Sequence, residues 1–216
     1  MRTLSFLLFS LILPFALCAT TKKDSHPITK ISRWFNKEKE RTEGRFHRFA
    51  TLATVSAAGK PYTRMIELVK VSKKNGLVFF THKNSVKVQH FSLNSNAALN
   101  IYLPKTKRQV SLTGIVSAVS LDETEKAWKR MPRFLKLTHM LSEQKRDPTS
   151  IEILEQRKKQ IAKRYHKVDI PMPSTFVGYL FEPEEVIFLE IRAPKVSVKE
   201  LAQIDKDEWV CSIVDP

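Results

Sequence analysis

Arg64, Ser85 and Lys87 are the residues whose types and spacing best suit an anion. Ser85-Val86-Lys87 stands where a short helix is expected to begin. A helix start carrying a hydroxyl and an ammonium group is a good place for a phosphate. Arg64, on an expected strand, can add a planar two-point contact. Phe80-Thr81-His82 closes one expected strand and Arg108-Gln109-Val110 opens another, completing a spread-out constellation. On residue chemistry alone, a solvated surface accounts for the same side chains.

Other chemistries find less support. His26, His47, His82, His90, His139 and His166 show no paired ligand spacing and no cysteine partner, so no metal site is expected. A single histidine could still ligate haem. There is no Gly-x-Ser-x-Gly, and Cys211 lies in an apolar terminal stretch that suits an inert thiol. The chain has only five glycines and no glycine-rich phosphate loop.

The 216 residues include 37 Lys or Arg and 22 Asp or Glu, a formal charge of +15, with 42% hydrophobic residues. That composition excludes wholesale disorder and collagen-like chains, and the length fits one domain with a single core. Met1 and Arg2 precede an uncharged run, Leu4 to Leu17, which is short for a membrane span. Residues 1–19 therefore read as a secretory signal peptide cleaved between Cys18 and Thr21, with 20–26 a polar linker and 27–216 the domain. An anchor helix, or a lipid anchor at Cys18, is the alternative, and no transmembrane segment is expected after cleavage. The remaining positive charge suits acidic ligands, anionic membranes or nucleic acid, and export argues against the last.

These residues need elements to position them. Pro27 to about Thr42 predicts a helix, with Ile28, Ile31, Trp34 and Phe35 at helical spacing. β-Branched and apolar runs predict strands over Phe49–Ser56, Tyr62–Val71, Leu77–Thr81, Ala97–Leu103 and Gln109–Ser120, with Asn75-Gly76 marking a hairpin. A short helix is expected over Ser85–Leu93. Asp122 is expected to cap a helix reaching Met131, and further helices cover Arg133–Glu143 and Ile151–His166. The last is very basic, through Arg157, Lys158, Lys159, Lys163 and Arg164. Its Ile151, Leu154, Ile161 and Tyr165 form a candidate apolar stripe. Phe176–Phe181, Val186–Ile191 and Glu208–Val214 read as further strands. The expected class is mainly β with α appendages, a β-barrel with helices inserted at one end.

The order and spacing of five stretches resemble the pyridoxamine 5′-phosphate oxidase family, FMN-binding split β-barrels. They are Gly59-Lys60-Pro61-Tyr62-Thr63-Arg64-Met65, Gly76-Leu77-Val78-Phe79-Phe80-Thr81-His82, Ser85-Val86-Lys87, Arg108-Gln109-Val110 and Pro171-Met172-Pro173-Ser174. The resemblance covers residues 27–192. It implies a homodimer with FMN at the interface. The cofactor-binding residues it implies are Arg64, Met65, Lys70, Phe80, Thr81, Ser85, Lys87, Gln109, Gln144 and Lys199. Arg64 and Lys87 would contact the flavin phosphate with Ser85 assisting. Phe80 and Thr81 would lie along the flavin, Gln109 near its ring, and Gln144 would come from the partner subunit.

Several positions depart from the family pattern. Val86 stands where the family has an arginine, Leu189 replaces a tryptophan, and Lys199 replaces an arginine. One extra residue places either Lys70 or Val69 at the family's lysine. The substrate-phosphate donors fall at Ala127 (or Trp128), Met131 and Leu135, and Lys195-Val196-Ser197 replaces Arg-x-His. The resemblance and the signal-peptide pattern together imply an exported FMN flavoprotein, a flavin-dependent oxidoreductase whose substrate the motifs leave open. A pyridoxamine 5′-phosphate oxidase with a remodelled site and a non-catalytic flavin- or haem-binding module are its rivals. A surface binder for acidic polymers or lipids through the basic helix is a third.

Overall fold

The computed structural model describes residues 26–73, 76–142 and 148–216. The expected signal peptide and Gln144 lie outside them. Its centre is a nine-stranded antiparallel sheet curled into a half-barrel, in the order β2-β1-β5-β6-β7-β4-β3, with β8 and β9 added beyond β7. The strands are β1 (Phe49–Val55), β2 (Pro61–Glu67), β3 (Lys70–Ser72), β4 (Gly76–His82), β5 (Asn96–Leu103), β6 (Arg108–Ala118), β7 (Phe176–Glu190), β8 (Val198–Asp205) and β9 (Glu208–Val214). The helices are α1 (Pro27–Arg41), α2 (Val86–Phe91), α3 (Leu121–Arg130), α4 (Arg133–Leu141) and α5 (Ile151–Arg164). No described helix is long and apolar enough to cross a membrane.

Strand alternation puts Leu52, Leu77, Phe79, Leu99, Ile101, Val110, Leu112 and Phe188 into the hollow of the curl, all within 1% of full burial. Helix α1 covers this core with Ile28, Ile31, Trp34 and Phe35, one face at helical spacing. Its Glu38, only 1% exposed, locks the helix to the β5–β6 turn. The carboxylate accepts from the Lys105 and Thr106 amides at 2.8 and 2.9 Å and from Thr106 Oγ1 at 2.8 Å. Glu38→Ala strands those donors, and each buried unmet partner costs about 1–3 kcal/mol. We expect a clear drop in the urea midpoint, with Glu38→Gln losing less. Equal midpoints for Glu38→Ala and the parent would remove Glu38 as the anchor.

Three expectations from the sequence change. The single strand expected over Tyr62–Val71 is two strands, broken at Leu68-Val69. There the Leu68 amide donates to Arg48 O at 2.9 Å, on the β1 side, and the Val69 amide to Val78 O at 2.8 Å, on β4. The chain thus changes partners and sews the two ends of the sheet together. Conversely, the two strands expected around Pro183 are one, β7. It pairs with β6 through Tyr179–Glu190, with β4 through Phe176–Phe181 and with β8 through Glu185–Glu190. Pro183 falls between those two partners, beside a bulge at Thr113/Gly114, so its missing N–H breaks no ladder. Gly114 is needed here, because a Cβ would strike the Glu182 carbonyl. Finally, Ser120, not Asp122, caps α3, its hydroxyl accepting from the Glu123 amide at 3.2 Å.

Helices α3 and α4 lie on the outer side of β4 and β7 over a second small core of Trp128, Ile170 and Phe176. Phe80 stacks on Phe176 at 5.2 Å, and Trp128 Nε1 donates to Ile170 O at 2.9 Å. The apolar stripe expected on α5 is only partly realised: none of its residues is buried, and Ile151 is 73% exposed.

Candidate functional site

Inward-facing positions of β1, β2 and β4 meet α2 at one end of the half-barrel, and a cluster of cations forms there. Arg64 donates from Nη1 to Leu52 O at 3.1 Å and to Thr54 Oγ1 at 2.7 Å. Thr54 Oγ1 is also 2.8 Å from His90 Nδ1 on α2. Lys87 donates to Thr81 Oγ1 at 2.9 Å and to Ser85 Oγ at 3.2 Å. Burial, and then the nearby Arg64 charge, lower the Lys87 ammonium to about 8. Burial also lowers Arg64. Neither cation has a carboxylate partner among the described residues. Two half-buried like charges held together by neutral oxygens form a site that gains from an incoming anion. Because α2 has only six residues, side chains rather than a helix end supply this charge.

The other expected residues divide between two further places. Lys70 and Phe80 line a cleft of about 880 Å³ outside the seam, between the β2–β3 corner and α3–α4. Lys70 is held there by Glu123 at 3.1 Å. Ala127, Met131 and Leu135 line the same cleft, as does Val69. Neighbouring Thr81 and Phe80 thus reach the two sites from opposite faces of β4.

Met65, Gln109 and Lys199 face outward. Gln109 sits in register with Tyr102 on one side and Leu189 on the other, and Leu189 with Lys199. Met65 is 68% exposed on the same outer face, through Thr51 and Asn100. Gln109 Nε2 donates to Ser111 Oγ at 3.0 Å. Within one subunit, then, Gln109 and Lys199 do not converge with Arg64 and Lys87. Residue chemistry did not single out Thr54 or His90. The alternation Ala50, Leu52, Thr54 was the available signal, since it aims a polar residue inward at the end of β1.

A histidine pair connects the cation cluster to the helices. His82 and His139 rings lie 5.0 Å apart, and His139 also meets Trp128 and Phe176 at 5.6 and 5.2 Å. Burial first, then His82, lowers His139 to about 4, and burial with Lys87 lowers His82. A folded-state value below the ordinary 6.5 means the folded chain binds fewer protons. The stability is therefore complete above pH 6.5 and is lost as pH falls from there through 4. Allowing for partial solvent screening, the loss amounts to about 1–2 kcal/mol. We expect His139→Phe to flatten part of the fall in melting temperature over that range. An unchanged pH slope would clear His139 of this role.

The comparisons with known proteins agree with this fold. Residues 37–165 match the family model described as pyridoxamine 5′-phosphate oxidase. The chain is 31% identical over 191 residues to the pyridoxine/pyridoxamine 5′-phosphate oxidase of Leptospira biflexa serovar Patoc, covering 88% of this chain and 89% of that one. A relative of the same description from Cyanothece sp. is 29% identical, with 91% of each chain covered. In fold, the chain is similar to PhzG from Burkholderia lata, solved in complex with tetrahydrophenazine-1-carboxylic acid. The TM-score is 0.81 at 23% identity, over 90% of this chain and 95% of that one. A pyridoxamine 5′-phosphate oxidase-related, FMN binding protein from Nostoc punctiforme gives a TM-score of 0.72 at 18% identity, over 89% and 99%. The family match, the curated relatives and the half-barrel lead to one conclusion: the chain belongs to the pyridoxamine 5′-phosphate oxidase family.

Proposed function

We propose that this chain binds FMN as a homodimer and works as a flavin-dependent oxidoreductase on a substrate other than pyridoxamine 5′-phosphate. The observation that carries the FMN reading is the cation pair Arg64 and Lys87, half-buried and without a carboxylate among the described residues. A flavin phosphate, with close to two negative charges at neutral pH, fits it. Thr54 would position Arg64, while Thr81 and Ser85 would aim Lys87. Phe80 would flank the ring from the cleft side. Bound flavin would supply the electron-transfer chemistry, and the protein the orientation and electrostatics.

The outward row of Tyr102, Gln109, Leu189 and Lys199 supports the dimer. These side chains point away from their own subunit's cations, so a second copy laid on this face would offer them to its neighbour's site. Exposed Phe49, Met65, Tyr102 and Ile115 give that face an apolar content suited to burial. Export, with residues 1–19 removed, is proposed from the sequence alone.

The test is direct. Purified full-length protein should show flavin absorbance, or its apo form should take up one FMN per subunit on titration and sediment as a dimer. A Soret band, or no flavin uptake, would overturn the FMN reading. A monomer at micromolar concentration that holds FMN tightly would overturn the dimer.

A further inference from the structure

We propose that the cleft outside the seam binds a flat, largely apolar molecule bearing one carboxylate, with Arg48 and Arg130 as its charge partners. This inference rests on the flavin reading, because the cleft is taken as the substrate side of that site. Its volume of about 880 Å³ lies toward the upper end of what small-molecule sites occupy. One wall is the sheet, through Leu68, Val78 and Phe80, and the other is the α3–α4 junction, through Met131, Phe134 and Leu135. An aromatic ring and a thioether on opposing walls favour a planar apolar body.

The charges around the cleft show what the polar end should be. Each carboxylate that lines it already has a side-chain partner. Glu123 takes Lys70 at 3.1 Å, Asp122 takes Lys126 at 2.6 Å, and Glu67 takes His47 at 3.2 Å. Arg48 and Arg130 remain with no carboxylate among the described residues. Arg48 spends only Nη1, on Val69 O at 3.0 Å. A guanidinium matches the two oxygens of a carboxylate in one plane. A phosphate dianion needs more donors than that, and the positions nearest the apolar walls, Met131 and Leu135, have none to give. A phosphate entering there would lose water without replacement, whereas a carboxylate at the mouth keeps one edge in solvent.

The test is calorimetric titration of the full-length protein loaded with FMN, using 1-naphthoate, 1-naphthalenemethanol and pyridoxamine 5′-phosphate as probes. Naphthoate should bind at least tenfold more tightly than the alcohol and than pyridoxamine 5′-phosphate. Arg48→Ala and Arg130→Ala should each weaken naphthoate several-fold and leave the alcohol unchanged. Leu135→Glu, which places a negative charge on the wall, should abolish the preference for the acid. Equal binding of acid and alcohol, or tightest binding of pyridoxamine 5′-phosphate, would overturn the inference. An FMN titration of the same samples separates the two readings. Normal FMN uptake without a preference for the acid defeats this inference alone. Failure of FMN uptake with the preference intact defeats the flavin reading alone.

Discussion

Arg64→Ala is expected to bind FMN roughly 10- to 150-fold more weakly than the parent chain, a loss of about 1.5–3 kcal/mol. The range is that for hydrogen bonds to charged groups, and it applies because Arg64 is already held by Leu52 O and Thr54 Oγ1. A guanidinium fixed in advance gives up little freedom on meeting the phosphate. Lys87→Ala should show a loss of the same order, but one that depends on pH. The Lys87 ammonium lies at about 8 in the chain without ligand. Above that pH the free parent is losing the proton that the phosphate needs. Parent affinity should therefore begin to fall as pH rises through 8, and the gap between parent and Lys87→Ala should narrow. Fluorescence titration of apo-protein with FMN at pH 7 and pH 9 would measure both effects. Unchanged affinity in both variants would remove the cluster from the cofactor site.

Turnover of pyridoxamine 5′-phosphate should be negligible even with saturating FMN. By the resemblance, the family's substrate-phosphate donors fall at Ala127 (or Trp128), Met131 and Leu135, and Ala127, Met131 and Leu135 line the cleft. Polar neighbours exist, but Lys70 is engaged by Glu123 and Lys126 by Asp122, which leaves Arg48 and Arg130 as the lining cations without a carboxylate among the described residues. A phosphate there would be desolvated by apolar walls at a cost of several kcal/mol or about a thousandfold or more in binding. Oxygen uptake or peroxide release is the assay. A rate of about one per second or faster, the low end of ordinary enzymes, would restore the namesake oxidase. This expectation bears on the substrate only. The 31% identity to a pyridoxine/pyridoxamine 5′-phosphate oxidase, spread over 88% of the chain, shows the family and leaves the replaced donors to decide the ligand.

Much of the fold was legible locally. Apolar and β-branched runs marked β1, β4, β5 and β6 nearly to their ends; in β1, β5 and β6 one face is buried and the other wetter, while β4 is buried on both. The helices α1, α3, α4 and α5 were likewise expected, although Ser120 rather than Asp122 caps α3. Strand β8 passed unmarked. Its Lys199, Glu200, Gln203 and Asp205 dilute the apolar alternation, and pairing with β7 and β9 is what makes it a strand. The break at Leu68-Val69 was equally silent, since both residues suit an unbroken strand and only the change of partner from β1 to β4 ends it.

For the site, local chemistry and spacing sufficed to nominate Arg64, Ser85 and Lys87, and family resemblance supplied the rest. Residue types determine which groups can meet a phosphate, and strand alternation determines which face of its own strand each occupies. Neither determines which faces meet. That Arg64 and Lys87 converge without a carboxylate depends on β2 and β4 approaching across the seam. That Phe80 and Lys70 open on a separate cleft, and that Gln109 and Lys199 turn away from both, depends on the curl of the sheet. Those are contacts between segments far apart in the chain, set by core burial and strand pairing, and no short window of sequence contains both partners.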